Sequence, residues 1–98
     1  MSNRHLSRSV ALQSLFEWDF RDLSGEQVPA LVARNMREFA PGVEDVAFAQ
    51  GLVIQALAHR ETVDTIIAKA APDWPLAQIS IVDRNVLRLG LSELLFSN

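Results

Sequence analysis

Apolar residues recur along most of the chain at the three- and four-residue intervals of a helix, and nowhere alternate with polar ones for the length of a strand. The pattern is richest near the end, where Ile79, Val82, Val86, Leu89 and Leu94 form a stripe that Leu87, Leu91 and Leu95 widen. A stripe that broad predicts a central core helix packed on more than one neighbour. Ser80 with Asp83 three residues on resembles a capping box built with a shorter acid, so this helix is expected to begin near Ser80.

Earlier in the chain, Ser2 or Asn3 can cap a helix from Arg4 to Phe20, with Leu6, Val10, Leu12 or Gln13, Leu15 or Phe16, and Phe20 recurring along it. A Ser/Gly/Asp cluster around residues 22–26 interrupts the pattern. A second helix follows from Gln27 or Val28 to Phe39. Pro29 is tolerated only in a first turn, so Ser24–Gln27 reads as a turn despite its capping-box spacing, and Pro41-Gly42 ends the helix. From Val43 to Ala71 there is one glycine and no proline, which predicts one long helix or two with a break near His59–Thr62. Gly51, set among Ala47, Ala49, Ala56 and Ala58, suggests close helix contact. Pro72-Asp-Trp-Pro75 is a stop, and Trp74 between its prolines reads as a core plug in preference to an exposed platform. The expected fold class is all-α, with about five helices in one domain over residues 1–98.

Composition agrees with a globular chain, 49% of it hydrophobic. No apolar run approaches the ~18–20 residues of a membrane span and the N-terminus lacks a signal-peptide core, so a cytoplasmic protein is expected. The absence of cysteine removes disulfides and thiolate metal sites. A net charge of −3 argues against binding nucleic acid through overall electrostatics. Charge is uneven, however. Residues 1–16 carry Arg4 and Arg8, with His5 between them, and no acid. One turn apart, the two guanidinium groups share a face and could track a phosphate backbone, although solvated surface arginines are the simpler reading of these residues alone.

Arg84 and Arg88 also share a face, a mild repulsion of roughly 0.2–0.5 kcal/mol that calls for an acid opposite. An internal carboxylate is expected for Arg88; for Arg84, an internal carboxylate and one on a partner stand level. His5 and His59 sit in no ligand motif, and Glu61 and Asp64 share a face as solvated acids. With no phosphate-cradling loop or nucleophile elbow either, no catalytic residue, metal or cofactor is expected, and the chain does not read as an enzyme.

Two blocks carry a resemblance. Arg4-His-Leu-Ser-Arg8-Ser-Val-Ala-Leu-Gln-Ser-Leu-Phe16 resembles the arginine-bearing opening and the Ala-(Leu/Val)-Gln-x-Leu-Tyr run of the NusB transcription antitermination family. Asp73-Trp-Pro-Leu-Ala-Gln-Ile79 and Val82-Asp-Arg-Asn-Val-Leu-Arg-Leu-Gly-Leu-Ser-Glu-Leu94 resemble its tryptophan turn and its Leu-Arg-(Ile/Leu)-x-x-x-Glu-Leu helix. The resemblance implies a NusB-like helical bundle that binds boxA-type RNA together with the small-subunit ribosomal protein NusE, within the RNA polymerase antitermination complex of ribosomal RNA operons. It assigns RNA contact to Arg4, His5 and Arg8, with Gln13 and Phe16 near that surface, and partner contact to Asp83 and Arg84. Arg88 and Glu93 fit an internal polar pair. The arginine opening is thinner than is usual in the family, which implies fewer phosphate contacts and weaker affinity.

Family members continue past the Glu-Leu block, so the chain is expected to lack a C-terminal third, leaving Leu94, Leu95 and Phe96 in need of cover. Two other functions are consistent with the same residues. One is the N-terminal NusB-like domain of a ribosomal-RNA cytosine-5 methyltransferase; the other is a helical protein-interaction module or homodimer with no RNA role.

Overall fold

Five α-helices and two short 3-10 turns account for the secondary structure of the computed structural model, which describes residues 3–97 and has no strand among them. The helices are α1 (Arg4–Phe20), α2 (Val28–Phe39), α3 (Val46–Ala58), α4 (Arg60–Ala70) and α5 (Ile81–Phe96). Asn3 caps α1, its side-chain oxygen accepting from the Leu6 amide at 3.0 Å. Ser2, the other candidate cap, lies outside the described residues. At the far end Asp22 adopts a φ of 53°, and the Leu23 amide reaches back to the Trp18 carbonyl at 3.0 Å. An aspartate thus fills the left-handed closing position that glycine usually takes.

Gly25–Gln27 is a 3-10 turn, with Pro29 in the first turn of α2. The helical stretch after Val43 is two helices broken at His59, which serves as cap to both. Neither glycine nor proline marks the break. Ser80 caps α5, its hydroxyl accepting from the Asp83 amide at 3.1 Å.

Helices α1, α2 and α3 pack against one another, α5 lies on α1 and α3, and α4 packs on α5. The main core joins Val10, Ala11 and Leu15 to Val28, Val32 and Met36, with Leu52 and Val53 from α3 and Leu89 from α5. Helix α1 buries Ser7, Val10, Ala11, Ser14 and Leu15, an i, i+3, i+4, i+7, i+8 set whose small members let its neighbours approach closely. That face is rotated from the expected one: Gln13 and Phe20 are exposed, and Leu6, Leu12 and Phe16 are half-buried. Inside, Asn35 of α2 donates to Ser14 Oγ at 3.0 Å, and Ser14 in turn donates to the Val10 carbonyl.

Further expectations are overturned. Helix α5 is not a central apolar helix; it buries Asn85, Arg88, Leu89 and Ser92, while Val82, Val86, Leu87, Leu94 and Leu95 are exposed. Trp74 is 70% exposed, a platform and not a plug, because the Pro72–Pro75 turn projects it away from the core. Gly51 is an exposed helical residue with open space where a Cβ would stand, so it marks no close contact.

The inward face of α5 is polar because it carries an ion network. Asp19 of α1 accepts from Arg84 Nε at 2.7 Å and Nη2 at 2.6 Å, from Asn85 Nδ2 at 2.9 Å and from Arg88 Nη1 at 2.9 Å. Asp64 of α4 accepts from Arg88 Nε at 2.9 Å and Nη2 at 3.1 Å. Both arginines therefore have internal carboxylates, and Asp64 is no solvated acid. Burial pushes the Asp19 carboxyl up, but hydrogen bonds from Arg84 and Asn85 and the charges of Arg84 and Arg88 outweigh it and hold Asp19 below the ordinary carboxylate range.

Candidate nucleic-acid interface

The first two turns of α1 hold Arg4, His5 and Arg8 at the surface. Both arginines converge on Phe48, in the first turn of α3, whose own start is fixed by Asp45 accepting from the Phe48 amide at 3.2 Å. The Arg4 guanidinium carbon lies 4.1 Å from the centre of the Phe48 ring and that of Arg8 5.5 Å, both within cation–π range. Two like charges are thereby gathered around one aromatic ring.

Arg8 is also held by Glu93 of α5. Its Nε donates to the carboxylate at 2.9 and 3.1 Å and its Nη2 at 2.6 Å. Hydrogen bonding from Arg8 first, then the charges of Arg8 and Arg4, keep the Glu93 carboxyl below its usual range despite an opposing effect of burial, and the same pairing raises Arg8. The expected internal pairing of Arg88 with Glu93 is corrected here: Arg88 turns to Asp19 and Asp64, and Glu93 to Arg8. A shallow groove runs beside the pair, with His5, Arg8 and Leu12 on its α1 wall and Val86, Gly90 and Glu93 on its α5 wall.

The remaining residues singled out from sequence divide between this end of the molecule and others. Phe16 follows His5 by three turns along nearly the same line of α1, and its ring stacks on Phe20 at 5.7 Å. Gln13 is exposed but stands roughly 140° around the helix from Arg8, so the two do not share a face. Asp83 is exposed on the first turn of α5, and Arg84 beside it is bound to Asp19. Sequence reasoning missed Phe48 altogether. It lies forty residues beyond Arg8, and no local signal connects them. Of the two histidines, His59 lies away from this groove, its ring stacked on Phe96 at 3.7 Å. Among the described residues no three His, Asp or Glu side chains gather as metal ligands would, and no helix is long and apolar enough to cross a membrane.

A family model described as the NusB family matches residues 5–98. Among curated relatives, the transcription antitermination protein NusB of Desulforudis audaxviator is 40% identical over 93 residues, covering 95% of this chain and 65% of the relative. That of Chloroflexus aggregans is 42% identical over 94 residues, covering 96% and 61%, and that of Roseiflexus castenholzii 42% over 94 residues, covering 96% and 64%. The chain thus spans a little under two thirds of the length of these relatives. No solved structure matches it. With almost every residue inside the match and identities of this size, the chain belongs to the NusB family.

Proposed function

We propose that the chain acts in transcription antitermination as a non-enzymatic, cytoplasmic RNA-binding module. It engages boxA-type RNA with the ribosomal protein NusE inside the RNA polymerase antitermination complex. The observation that carries this reading is the convergence of Arg4 and Arg8 on Phe48, which sets two guanidinium groups, one of them paired with Glu93, side by side at an exposed helix end of an otherwise acidic chain. Arg4 and Arg8 meet phosphates there, His5 extends the contact into the α1–α5 groove, and Gln13 and Phe16 lie further along α1. Asp83 carries the partner-facing charge, while Arg84 anchors that turn of α5 to Asp19 and offers its outer edge. The relatives reported above carry the antitermination name, which supports this reading over a methyltransferase domain.

Fluorescence-anisotropy titration of a boxA-type oligonucleotide against a scrambled control, with and without NusE and at two salt concentrations, tests the proposal. Selective binding that weakens with salt is expected. Arg4→Ala with Arg8→Ala should lower the slope of log K against log salt by about 1.4, two single-strand phosphate contacts at about 0.7 each. Absence of selective binding at either salt, with or without NusE, overturns it.

The exposure of Val82, Val86, Leu87, Leu94 and Leu95 on one helix favours a second reading, pairing of two copies through α5. Sedimentation across a concentration series distinguishes it, since a mass independent of concentration and equal to one chain excludes pairing.

A further inference from the structure

We infer that Glu93 stands in the phosphate position of Arg8, as an internal competitor that an incoming anion must displace. For its natural ligand this rests on the RNA reading above. The carboxylate takes the Nε and Nη2 edge of the guanidinium through three short contacts, and that is the fork an arginine offers to a phosphate. Arg4, by contrast, makes no ion pair among the described residues and faces outward over Phe48. The two arginines of the site are therefore unequal: one is open, the other occupied.

Exposure separates the Arg8–Glu93 pair from the structural ion pairs. Side-chain exposure is 44% for Arg8 and 27% for Glu93, against 9% for Arg88 and 12% for Asp19. Solvated pairs contribute little to stability, so the Arg8 pair can open without unfolding anything, whereas the Arg88 network cannot. Glu93 is nevertheless not a wandering side chain. Ser92, Leu89 and Arg88, all buried on α5, hold its backbone in place, so the competing carboxylate returns to the same position each time the site empties.

Discrimination follows from this arrangement. A lone phosphate gains little at Arg8, because it exchanges one anion for another. A ligand with consecutive phosphates can seat on Arg4 first and then replace Glu93 at high local concentration. The opposite role, in which Glu93 orients Arg8 for its ligand, predicts the opposite sign when the carboxylate is withdrawn.

Two substitutions separate charge from position. Glu93→Gln keeps a hydrogen-bond acceptor and removes the charge; Glu93→Asp keeps the charge and withdraws it by one methylene. Affinity for the boxA-type oligonucleotide is read by anisotropy at low salt. Response to inorganic pyrophosphate is read from the Arg4 and Arg8 Nε–H resonances, with thermal melts confirming that each variant folds. Both substitutions should tighten binding, Glu93→Gln by about threefold, the scale of a broken solvent-exposed ion pair. The gain should vanish in an Arg8→Ala background. Unchanged or weaker binding in both variants overturns the inference, and so does an equal gain in the Arg8→Ala background, which would reveal a general field effect. If the parent chain shows no selective RNA binding, the antitermination proposal falls while the pyrophosphate arm still decides this one: a larger Arg8 response in Glu93→Gln sustains it, and an unchanged response ends it.

Discussion

Asp19→Asn tests whether the polar face of α5 is what locks that helix to the rest of the molecule. The side chains of Asp19, Arg84 and Arg88 are 12%, 19% and 9% exposed, so the charges are largely withdrawn from water. Removing one member of such a group leaves its partners desolvated and uncompensated, at a cost of about 3–5 kcal/mol when burial is complete. Two features place Asp19→Asn at the lower end of that range. Arg88 keeps both contacts to Asp64, and Arg84 lies near enough to the surface to find water. A loss of about 3 kcal/mol is expected, which for a domain of this size lowers the melting temperature by roughly 12 °C or more.

Circular dichroism melts and urea titrations of the parent, Asp19→Asn, Asp64→Asn and the double variant measure this loss, once coincident transitions establish two-state behaviour. The two single losses should not sum in the double variant, because both carboxylates share Arg88. A loss under about 1 kcal/mol would show that Arg84 and Arg88 are adequately solvated without Asp19, and would refute the reasoning. Acid titration supplies an independent check. The folded-state pKa of Asp19 is depressed, so its contribution is complete above the unfolded pKa of about 3.9 and disappears as pH falls through the lower folded value. Stability of the parent should fall steeply below about pH 4, and that fall should be shallower in Asp19→Asn.

Other substitutions address the corrected parts of the fold. Trp74→Ala should change stability by no more than about 0.5 kcal/mol in urea titrations, since the indole is mostly in water. Gly51→Ala places a methyl group in open space on an exposed helix face and should stabilise by about 0.5–1 kcal/mol in the same assay.

Helix limits were legible because their causes are local. Asn3, Ser80, Pro29 and the Pro72–Pro75 turn each act on amides within four residues, and the helix ends beside them fell where they stand, whereas the break at His59 has no glycine or proline to mark it. The membership of the candidate site was legible only in part. Arg4 and Arg8 are neighbours by helical geometry, so their pairing could be read directly. Phe48 and Glu93 reach them only through the packing of α3 and α5 on α1, and Glu93 is 85 residues from Arg8. The ring that gathers the charges and the acid that occupies one of them therefore had no sequence signature.

Helix α5 shows most clearly where a periodicity argument stops. Its residues divide into an apolar face containing Val82, Val86, Leu87 and Leu94 and a mixed face containing Asn85, Arg88, Leu89 and Ser92. Period alone establishes both faces and says nothing about which one turns inward. Apolar burial would favour the first, at about 25 cal/mol per Å². What opposes it is the position of Asp19 and Asp64 on α1 and α4, facing α5: turning the apolar face inward would leave two carboxylates in a poorly solvated place and two arginines without partners. The ionic requirement wins and fixes the rotation of the helix. That rotation also directs Glu93, the residue after buried Ser92, towards Arg8 across the groove. The network that sets α5 against the bundle is thus the same one that aims a carboxylate at the candidate RNA site, and it leaves the apolar stripe turned outward, with Val86 beside Glu93 on the wall of the groove.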